Sequence, residues 1–312
     1  MKPLSSPLRY PGSKATLVEW MSRFLQANDL IGSEFVELYA GSAALSLNLL
    51  KRGDVSSVML FERDPLLFAF WYCVFNQTES LIQLIEQYEP GLETREVLGS
   101  LLKLDDVSGD LPLLGYAGLL FNRTSFSGVL HAGPIGGAGQ QSKYKVDCRF
   151  NRVEITQRIR ECSELAPNVS VYFGDAVKAL KDANSGVNGS RVFYVDPPYY
   201  VQGPRLYRYH YKFADHVALA EALTDATYRW ILSYDDHPAI RHLYREFPLV
   251  QPSLRYSSKV PKKELELLFT NIEEPNFGSD ANAREAKPRL QLSRKVSSLS
   301  SMQSGTLDGE VL

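Results

Sequence analysis

Hydrophobic residues follow two different periods along the chain, and the two periods alternate. Short apolar runs predict strands at residues 34–39, 55–61, 169–173, 191–195, 229–233 and 265–271. Apolar side chains spaced three and four apart predict helices at residues 15–25, 45–50, 69–88 and 111–122. Strands that alternate with helices in this way predict an α/β fold.

The order of elements near the N-terminus is typical of nucleotide-binding α/β folds. The strand at 34–39 is followed by the small residues 40–44, a helix, a second strand and then Glu62. In such folds a small-residue turn lets a ligand approach the backbone, and an acid after the second strand binds ribose hydroxyls. The sequence therefore predicts a Rossmann-like fold with a nucleotide-type ligand at this end of the sheet.

The middle and the end of the chain depart from this α/β pattern. Residues 66–165 are helical at first and then include a loop rich in Gly, Ser and Gln at 125–142. We therefore predict a discontinuous α/β domain of residues 1–65 and 166–273 with an insertion of residues 66–165. Residues 274–312 are rich in Ser, Asn, Lys and Arg with few large apolar side chains, which predicts a disordered tail.

Composition narrows the class of protein. Of the 312 residues, 44% are hydrophobic, as in soluble globular proteins, and 34 basic against 36 acidic residues give a net charge of −2. A nucleic-acid-binding protein is often basic, so this overall balance counts against such binding. Three scattered cysteines indicate free thiols in a reducing compartment. With no apolar signal core and no apolar run near about 20 residues, we expect a soluble, cytoplasmic protein.

The strongest candidate for chemistry follows the strand at 191–195, where Asp196, Pro197, Pro198 and Tyr199 stand together. Two prolines after a buried strand end the sheet pairing and stiffen the turn. The Asp196 carboxylate and the Pro197 carbonyl could then accept hydrogen bonds from an amino group, while Tyr199 stacks on a planar ring. The alternative interpretation is a turn that only terminates the strand.

Four blocks in one order resemble the Dam-like (D12 class) adenine-N6-specific DNA methyltransferases. They are Asp-Pro-Pro-Tyr at 196–199, the block at 9–14, the glycine-containing block at 35–42 and Phe-Gly-Asp-Ala at 173–176. The resemblance implies a Rossmann-like S-adenosylmethionine-dependent methyltransferase fold whose insertion, residues 66–165, recognises the target. The implied reaction methylates the exocyclic amine of a flipped adenine by direct displacement.

The resemblance also assigns residues to the methyl donor, S-adenosylmethionine. These residues are Tyr10, Lys14, Glu37, Gly41, Glu62, Asp175 and Asp196. Within this set, Glu62 is implied to bind the ribose and Asp175 the adenine of the donor. Family members commonly have a second glycine where Ala43 stands, and often Asp where Glu62 stands. No cluster of residues has the spacing of metal ligands, so we expect no metal.

A local excess of basic residues favours double-stranded DNA as the partner, despite the negative net charge. The predicted DNA contacts are Asn122, Arg123, Lys143, Lys145, Arg149 and Arg208. Lys and Arg would contact phosphates, while Arg and Asn could read base edges. The resemblance places Asn122 and Arg123 at a helix end that lies against DNA. These predicted contacts, apart from Asn122, belong to two basic stretches, residues 123–152 and 205–212, and either stretch could instead be a solvated loop. A cognate restriction nuclease as a further partner is left open.

Other functions remain as alternatives or are excluded. Cytosine-C5 methylation needs a nucleophilic cysteine after a proline, which the sequence lacks. Methylation of cytosine N4, RNA or protein uses related motifs, although Asp196 and the basic insertion favour adenine in DNA. A DNA-binding protein without catalysis would not need the residues at 196–199. A Rossmann dehydrogenase would have a longer glycine fingerprint than residues 41–43 provide.

Overall fold

Eight strands form one mixed sheet in the computed structural model, which describes residues 3–10, 13–184, 190–252, 266–272 and 281–284. The strands are β1 (Glu34–Glu37), β2 (Ser57–Glu62), β3 (Val169–Phe173), β4 (Arg191–Val195), β5 (Arg229–Asp235), β6 (Leu249–Pro252), β7 (Glu266–Thr270) and β8 (Ala281–Arg284). Their order across the sheet is β3-β2-β1-β4-β5-β7-β6-β8. Strands β1 to β5 are parallel, whereas β7, β6 and β8 each pair with their neighbours in antiparallel fashion.

Helices cover the sheet and connect its strands. They are α1 (Val18–Ala27), α2 (Ala44–Arg52), α3 (Pro65–Asn76), α4 (Thr78–Gln87), α5 (Leu92–Val97), α6 (Leu111–Thr124), α7 (Arg152–Ser163), α8 (Ala176–Ala183), α9 (Gly203–Leu206), α10 (Phe213–Thr224) and α11 (Pro238–Leu243). Short 3₁₀ turns lie at Lys14–Leu17, Gly99–Lys103, Phe126–Gly128 and Ala166–Asn168.

Apolar side chains fill the space on both faces of the sheet. In β4, Val192 and Tyr194 belong to the core on one face, and Phe193 and Val195 to the core on the other. This alternation follows from the two-residue period of a strand. Helices α1, α2, α3 and α6 contribute to the first core, while α8, α10 and α11 contribute to the second. A parallel sheet buried on both faces explains why the predicted strands are continuous apolar runs.

The sheet order reverses between β1 and β4, and this reversal determines where a ligand can bind. From β1 the chain proceeds outward through β2 and β3, and from β4 it proceeds outward through β5 on the other side. The loops after β1 and β4 therefore diverge and leave a crevice at the carboxyl ends of these strands. This arrangement confirms the predicted Rossmann-like α/β fold.

Two helices of the predicted insertion pack closely together beside the sheet. Gly115 and Gly118 of α6 face α3, where an added Cβ would lie 2.9 Å from the Ala69 carbonyl oxygen and 2.5 Å from that of Leu66. Only glycine permits so close an approach of two helix backbones. Because α3 and α6 share the core of the first sheet face, the helical part of the insertion is built onto the sheet. The proposed domain boundaries themselves stay a prediction.

The structure confirms the six predicted strands as β1, β2, β3, β4, β5 and β7, and it adds β6 and β8. The predicted helical stretch at 69–88 is two helices, α3 and α4. Disorder was expected from residue 274, yet residues 281–284 form β8 and pair with β6. The rest of that tail lies outside the described residues. No helix in the described ranges is long and apolar enough to cross a membrane.

Candidate active site

Asp196 lies immediately after β4, at the point where the strand order reverses. Its Oδ1 accepts a hydrogen bond of 2.7 Å from Ser233 Oγ on the neighbouring strand β5. The Ser233 hydroxyl is also 2.8 Å from the hydroxyl of Tyr194. Pro197 and Pro198 are buried, so the turn after Asp196 is held by packing as well as by proline geometry. The Asp196 carboxylate is therefore fixed in orientation while its side chain stays 18% exposed.

The buried ammonium of Lys14 contacts three side chains, one of which is Asp196. Lys14 Nζ lies 2.7 Å from Asp196 Oδ2, 3.0 Å from Glu266 Oε1 and 3.2 Å from the hydroxyl of Tyr199. Burial lowers the pKa of Lys14, but Asp196 and Glu266 raise that pKa well above its ordinary value. Lys14 is therefore a permanent cation beside Asp196. The sequence analysis did not identify Glu266, which is distant in sequence from the other members of this cluster.

A cavity opens at the carboxyl ends of β1 to β4 and has Asp196 in its wall. It encloses about 860 Å³, including its open mouth. Of the residues predicted for the site, Tyr10, Glu62, Asp175, Asp196, Pro198 and Arg208 line it. Other lining residues are not among the predicted site residues, including Tyr39, Arg63, Asp64, His131, Tyr207 and Tyr211. Residues 128–131, which fall within the predicted insertion, also form part of the wall.

Gly41 has a conformation and a neighbour that both require glycine. Its φ is +46°, a left-handed conformation that other residues rarely adopt. An added Cβ would lie 2.7 Å from Cε1 of Tyr10. The ring of Tyr10 in turn lines the cavity and lies 5.8 Å from the ring of Tyr207. Gly41 does not itself line the cavity, but it allows Tyr10 to do so.

Glu62 lies at the end of β2 and organises the backbone around the cavity. Its carboxylate accepts hydrogen bonds from the backbone N–H groups of Gly41 (3.2 Å), Arg63 (2.9 Å) and Asp64 (3.0 Å). Burial raises the pKa of Glu62 to about 7, although these hydrogen bonds favour the charged form. A carboxylate has about four acceptor positions. Glu62 can therefore accept one further hydrogen bond from a ligand hydroxyl.

Asp175 follows β3 and faces the same cavity from the other side of β2. Its Oδ1 accepts a hydrogen bond of 3.0 Å from the backbone of Lys178, which caps the N-terminus of α8. Its Oδ2 lies 2.8 Å from Arg63 Nη1. The side chain is 36% exposed. Asp175 is thus an accessible acid at the far end of the cavity from Asp196.

Glu37, predicted to bind the donor, lies at the end of β1 but does not line the cavity. It is 4% exposed, and Ser46 of α2 donates a hydrogen bond to its carboxyl group. Burial raises the pKa of Glu37 from 4.5 to about 8, although Ser46 and the charge of Lys14 oppose this. Glu37 is therefore mostly protonated at neutral pH.

Replacing Glu37 by Gln is expected to remove a pH dependence of stability. Because the folded carboxyl group binds its proton more tightly than the unfolded one, its stabilising contribution is complete below pH 4.5 and is lost as the pH rises towards 8. A difference of one bound proton between the folded and unfolded states changes the free energy of unfolding by about 1.4 kcal/mol per pH unit. Urea unfolding across this range should show a flatter pH dependence for Glu37→Gln. Glu221→Gln, at an exposed position on α10, should keep the wild-type slope. If the free energy of unfolding depended on pH equally in wild type and Glu37→Gln, the raised pKa of Glu37 would be contradicted.

Asn122 and Arg123, predicted to contact DNA, are buried near the end of α6. Asn122 accepts a hydrogen bond from the backbone N–H of Arg9 (2.7 Å) and donates to the carbonyls of Arg9 (2.7 Å) and Gly128 (2.9 Å). Arg123 Nε donates to the carbonyl of Pro7 at 2.6 Å. Both side chains thus connect the segment that carries Tyr10 to α6. The three hydrogen bonds of Asn122 support a structural role for it, whereas Arg123 Nη2 is buried without a hydrogen-bond partner among the described residues.

Asn122→Ala is expected to lower the free energy of unfolding by about 3 kcal/mol, because it leaves three backbone groups without their partner, two on half-buried Arg9 and one on buried Gly128. Chemical denaturation measures this loss. Asn168→Ala removes a single bond to the Ser56 carbonyl from an exposed side chain, and it should cost less than about 1 kcal/mol. If Asn122→Ala were as stable as wild type but altered in DNA sequence preference, Asn122 would be a base-reading residue.

Of the remaining predicted DNA contacts, three are exposed side chains and the fourth, Arg208, is bonded to other parts of the protein. Lys143, Lys145 and Arg149 are exposed on the segment that follows α6. Arg208 lines the cavity, and its guanidinium group donates to the carbonyl of Leu104 and lies 3.2 Å from the Asp105 carboxylate. In the described residues no group of three or more His, Cys, Asp or Glu side chains is arranged to hold a metal ion.

Comparison with known proteins agrees with the resemblance carried by the motifs. The sequence profile of the family described as D12 class N6 adenine-specific DNA methyltransferase matches residues 10–258. This range includes most of both parts of the predicted α/β domain and the whole predicted insertion. No curated protein sequence matches the chain significantly.

Several solved structures share a distant overall similarity with the chain. The proposed methyltransferase yhhF from Escherichia coli is 13% identical over 86% of this chain and 89% of its own, with a TM-score of 0.34. The rRNA methyltransferase aviRa from Streptomyces viridochromogenes is 13% identical over 84% and 85%, with a TM-score of 0.34. A SAM-dependent methyltransferase from Neisseria gonorrhoeae is 12% identical over 88% and 76%, also at 0.34. Nothing about this chain follows from similarities at these TM-scores.

Proposed function

Because the chain belongs to the D12 class of N6 adenine-specific DNA methyltransferases, we propose that it methylates the exocyclic amino group of a flipped adenine in double-stranded DNA. The donor in this proposal is S-adenosylmethionine. A location in the cytoplasm and a partnership with a restriction nuclease stay predictions from the sequence.

One feature of the cavity carries the proposal. The same cavity is lined by Asp196 and Pro198 at one end and by Glu62 and Asp175 at the other. A nucleoside-containing donor needs acids for its ribose and base, and a methyl acceptor needs a fixed carboxylate next to the transferred group. The lining of this one cavity contains acids for both tasks.

The residues around the cavity fit S-adenosylmethionine. Glu62 has an acceptor position left for a ribose hydroxyl, and Asp175 is exposed enough to accept from an adenine amine. The rings of Tyr10 and Tyr207 supply apolar walls. When bound, the donor supplies a methyl group activated by its sulfonium charge.

The chain's own part in the reaction is to position the acceptor. Asp196 would accept one hydrogen bond from the adenine amine and the Pro197 carbonyl the other, so that the nitrogen faces the methyl group. In a single displacement, the nitrogen would bond to the methyl carbon while the bond between that carbon and the donor's sulfur breaks. The sulfur is left as a neutral thioether, and the surplus proton on the nitrogen passes to solvent, with no covalent link to the protein. Tyr199 is proposed to stack on the base. Its hydroxyl is already held by Lys14 and Glu266, so its ring loses little further freedom on binding.

Double-stranded DNA as the substrate is supported by exposed basic side chains in the predicted insertion. Lys143, Lys145 and Arg149 are exposed on the segment that follows the 128–131 wall. Such side chains contribute affinity through phosphate contacts, which weaken as the salt concentration rises. An adenine within a duplex must leave the base stack to reach Asp196.

The test is transfer of labelled methyl from S-adenosylmethionine to unmethylated genomic DNA, followed by nucleoside analysis. We expect N6-methyladenine, and sequencing of the modified positions then gives the target site. N4-methylcytosine would overturn the assignment of the base. Labelling of RNA or protein but not DNA would overturn the substrate class. Donor binding without any transfer would indicate a DNA-binding protein on the same fold.

A further inference from the structure

Glu266 reaches the active site because the direction of the sheet changes at β7. It is the first residue of β7, and it pairs with Asp235, the last residue of β5. Since β7 runs antiparallel to β5, the start of β7 lies at the edge where the parallel strands end. A residue near the end of the described chain is thereby brought next to Asp196 and Lys14.

Glu266 contacts the two groups that surround Asp196. Its Oε1 lies 3.0 Å from Lys14 Nζ and accepts a hydrogen bond of 3.3 Å from the hydroxyl of Tyr199. The side chains of Glu266 and Lys14 are 9% and 6% exposed. Glu266 is not among the residues that line the cavity. Lys14 and Tyr199 likewise do not line this cavity, and Glu266 reaches Asp196 through its contacts with them.

Two carboxylates share one ammonium in this cluster. Lys14 alone beside Asp196 would neutralise the carboxylate that has to accept a hydrogen bond from the substrate. With Glu266 on its other side, the ammonium is attracted in two directions, and the cluster keeps a net negative charge. Charge interactions of this kind are strong because the cluster is shielded from water.

We propose that Glu266 is a positioning residue for methyl transfer, which holds the Lys14 ammonium and the Tyr199 hydroxyl in place beside Asp196. This inference rests on the proposed function, because it assigns Asp196 the task of orienting the acceptor amine. Without the Glu266 carboxylate, the charge of Lys14 acts more strongly on Asp196, which becomes a weaker acceptor. Tyr199 also loses an anchor for its hydroxyl.

The first measurement compares the steady-state kinetics of wild type and Glu266→Gln, which keeps the shape of the side chain but removes its charge. We expect kcat to fall about 10- to 100-fold, the scale of misplaced reacting groups. The KM for the donor should change less than about twofold, since neither Glu62 nor Asp175 contacts Glu266. Glu164→Gln, at an exposed position after α7, is the control and should match wild type. An unchanged kcat in Glu266→Gln would overturn the proposal.

A double-mutant cycle separates positioning from a general structural effect. If Glu266 acts through Lys14, then Glu266→Gln has little effect on kcat in a Lys14→Met background, and the two substitutions are strongly non-additive. Additive losses would show that Glu266 acts independently of Lys14 and would overturn the proposal. Thermal unfolding of each variant shows whether it is folded at the assay temperature.

A third readout needs neither DNA nor methyl transfer. The ¹⁵Nζ resonance of Lys14, assigned by its loss in Lys14→Met, reports how firmly the ammonium is held. We expect this resonance to shift and its protons to exchange faster in Glu266→Gln. An unchanged resonance would overturn the proposal. A shifted resonance in a protein that does not methylate DNA would support the placement of Lys14 by Glu266 and contradict the proposed function instead.

Discussion

Replacing Asp196 by Ala is expected to lower methyl transfer at least about 10³-fold, the scale seen when a hydrogen-bonding group at a reacting centre is removed. The variant should still fold, because Lys14 keeps Glu266 at 3.0 Å and Ser233 keeps the hydroxyl of Tyr194 at 2.8 Å. The buried ammonium is thus not left without a charged neighbour. Donor binding should persist through Glu62 and Asp175 at the other end of the cavity.

Transfer of labelled methyl to DNA, with donor affinity from calorimetry, measures both expectations for this variant. Asp236→Ala provides a matched control, because Asp236 is an exposed acid on the neighbouring loop that pairs with Arg241. It should retain full activity. An Asp196→Ala protein that methylates DNA at the wild-type rate would contradict the role of Asp196 in orienting the amine.

Replacing Gly41 by Val is expected to weaken donor binding about 100-fold or more. An added Cβ would lie 2.7 Å from the ring of Tyr10, and the φ of +46° is strained for any side chain. The ring of Tyr10 lines the cavity, so its displacement narrows the space that the donor would occupy. The Gly41 N–H also donates a hydrogen bond to the Glu62 carboxylate. A shift of the Gly41 backbone would therefore disturb Glu62 and weaken donor binding further. Calorimetric titration with the donor measures the effect.

Gly53→Val serves as the control for backbone strain in this experiment. Gly53 also has a left-handed conformation, with a φ of +79°, but nothing lies within 4 Å of an added Cβ. It should lose stability, by about 1–2 kcal/mol, and bind the donor normally. If Gly41→Val and Gly53→Val bound the donor equally well, the contact between Gly41 and Tyr10 would have no part in ligand binding.

Much of the fold could be predicted because most of its strands are short, largely apolar runs. The runs at 169–173 and 191–195 match β3 and β4 residue for residue. Strands β6 and β8 are not predicted by the apolar pattern: each has only four residues, and their sequences, LVQP and ANAR, contain few large apolar side chains. Helices α3 and α6 were identified as helical, but their close packing depends on Gly115 and Gly118 meeting another backbone. Local spacing contains no information about such a partner.

Several predicted site residues lie at or just after the end of a parallel strand. Glu62, Asp175 and Asp196 are of this kind and line one cavity, while their roles stay predictions. Glu37 also ends a strand, but its side chain is buried and bonded to Ser46. The family resemblance predicts Asn122 and Arg123 at a helix end against DNA, whereas both side chains are buried. Their burial follows from the hydrogen bonds that the 7–10 segment requires.

The sequence by itself determined the α/β class, the family and the acids that end the strands, because these features depend on local spacing and on motifs in a fixed order. Only the tertiary structure decided which of these acids share a cavity and which charges meet. Lys14, Asp196 and Glu266 are far apart in the chain, yet they form one buried cluster. The reversed direction of β7 and the sheet order bring them together, and neither can be inferred from a residue's neighbours in sequence.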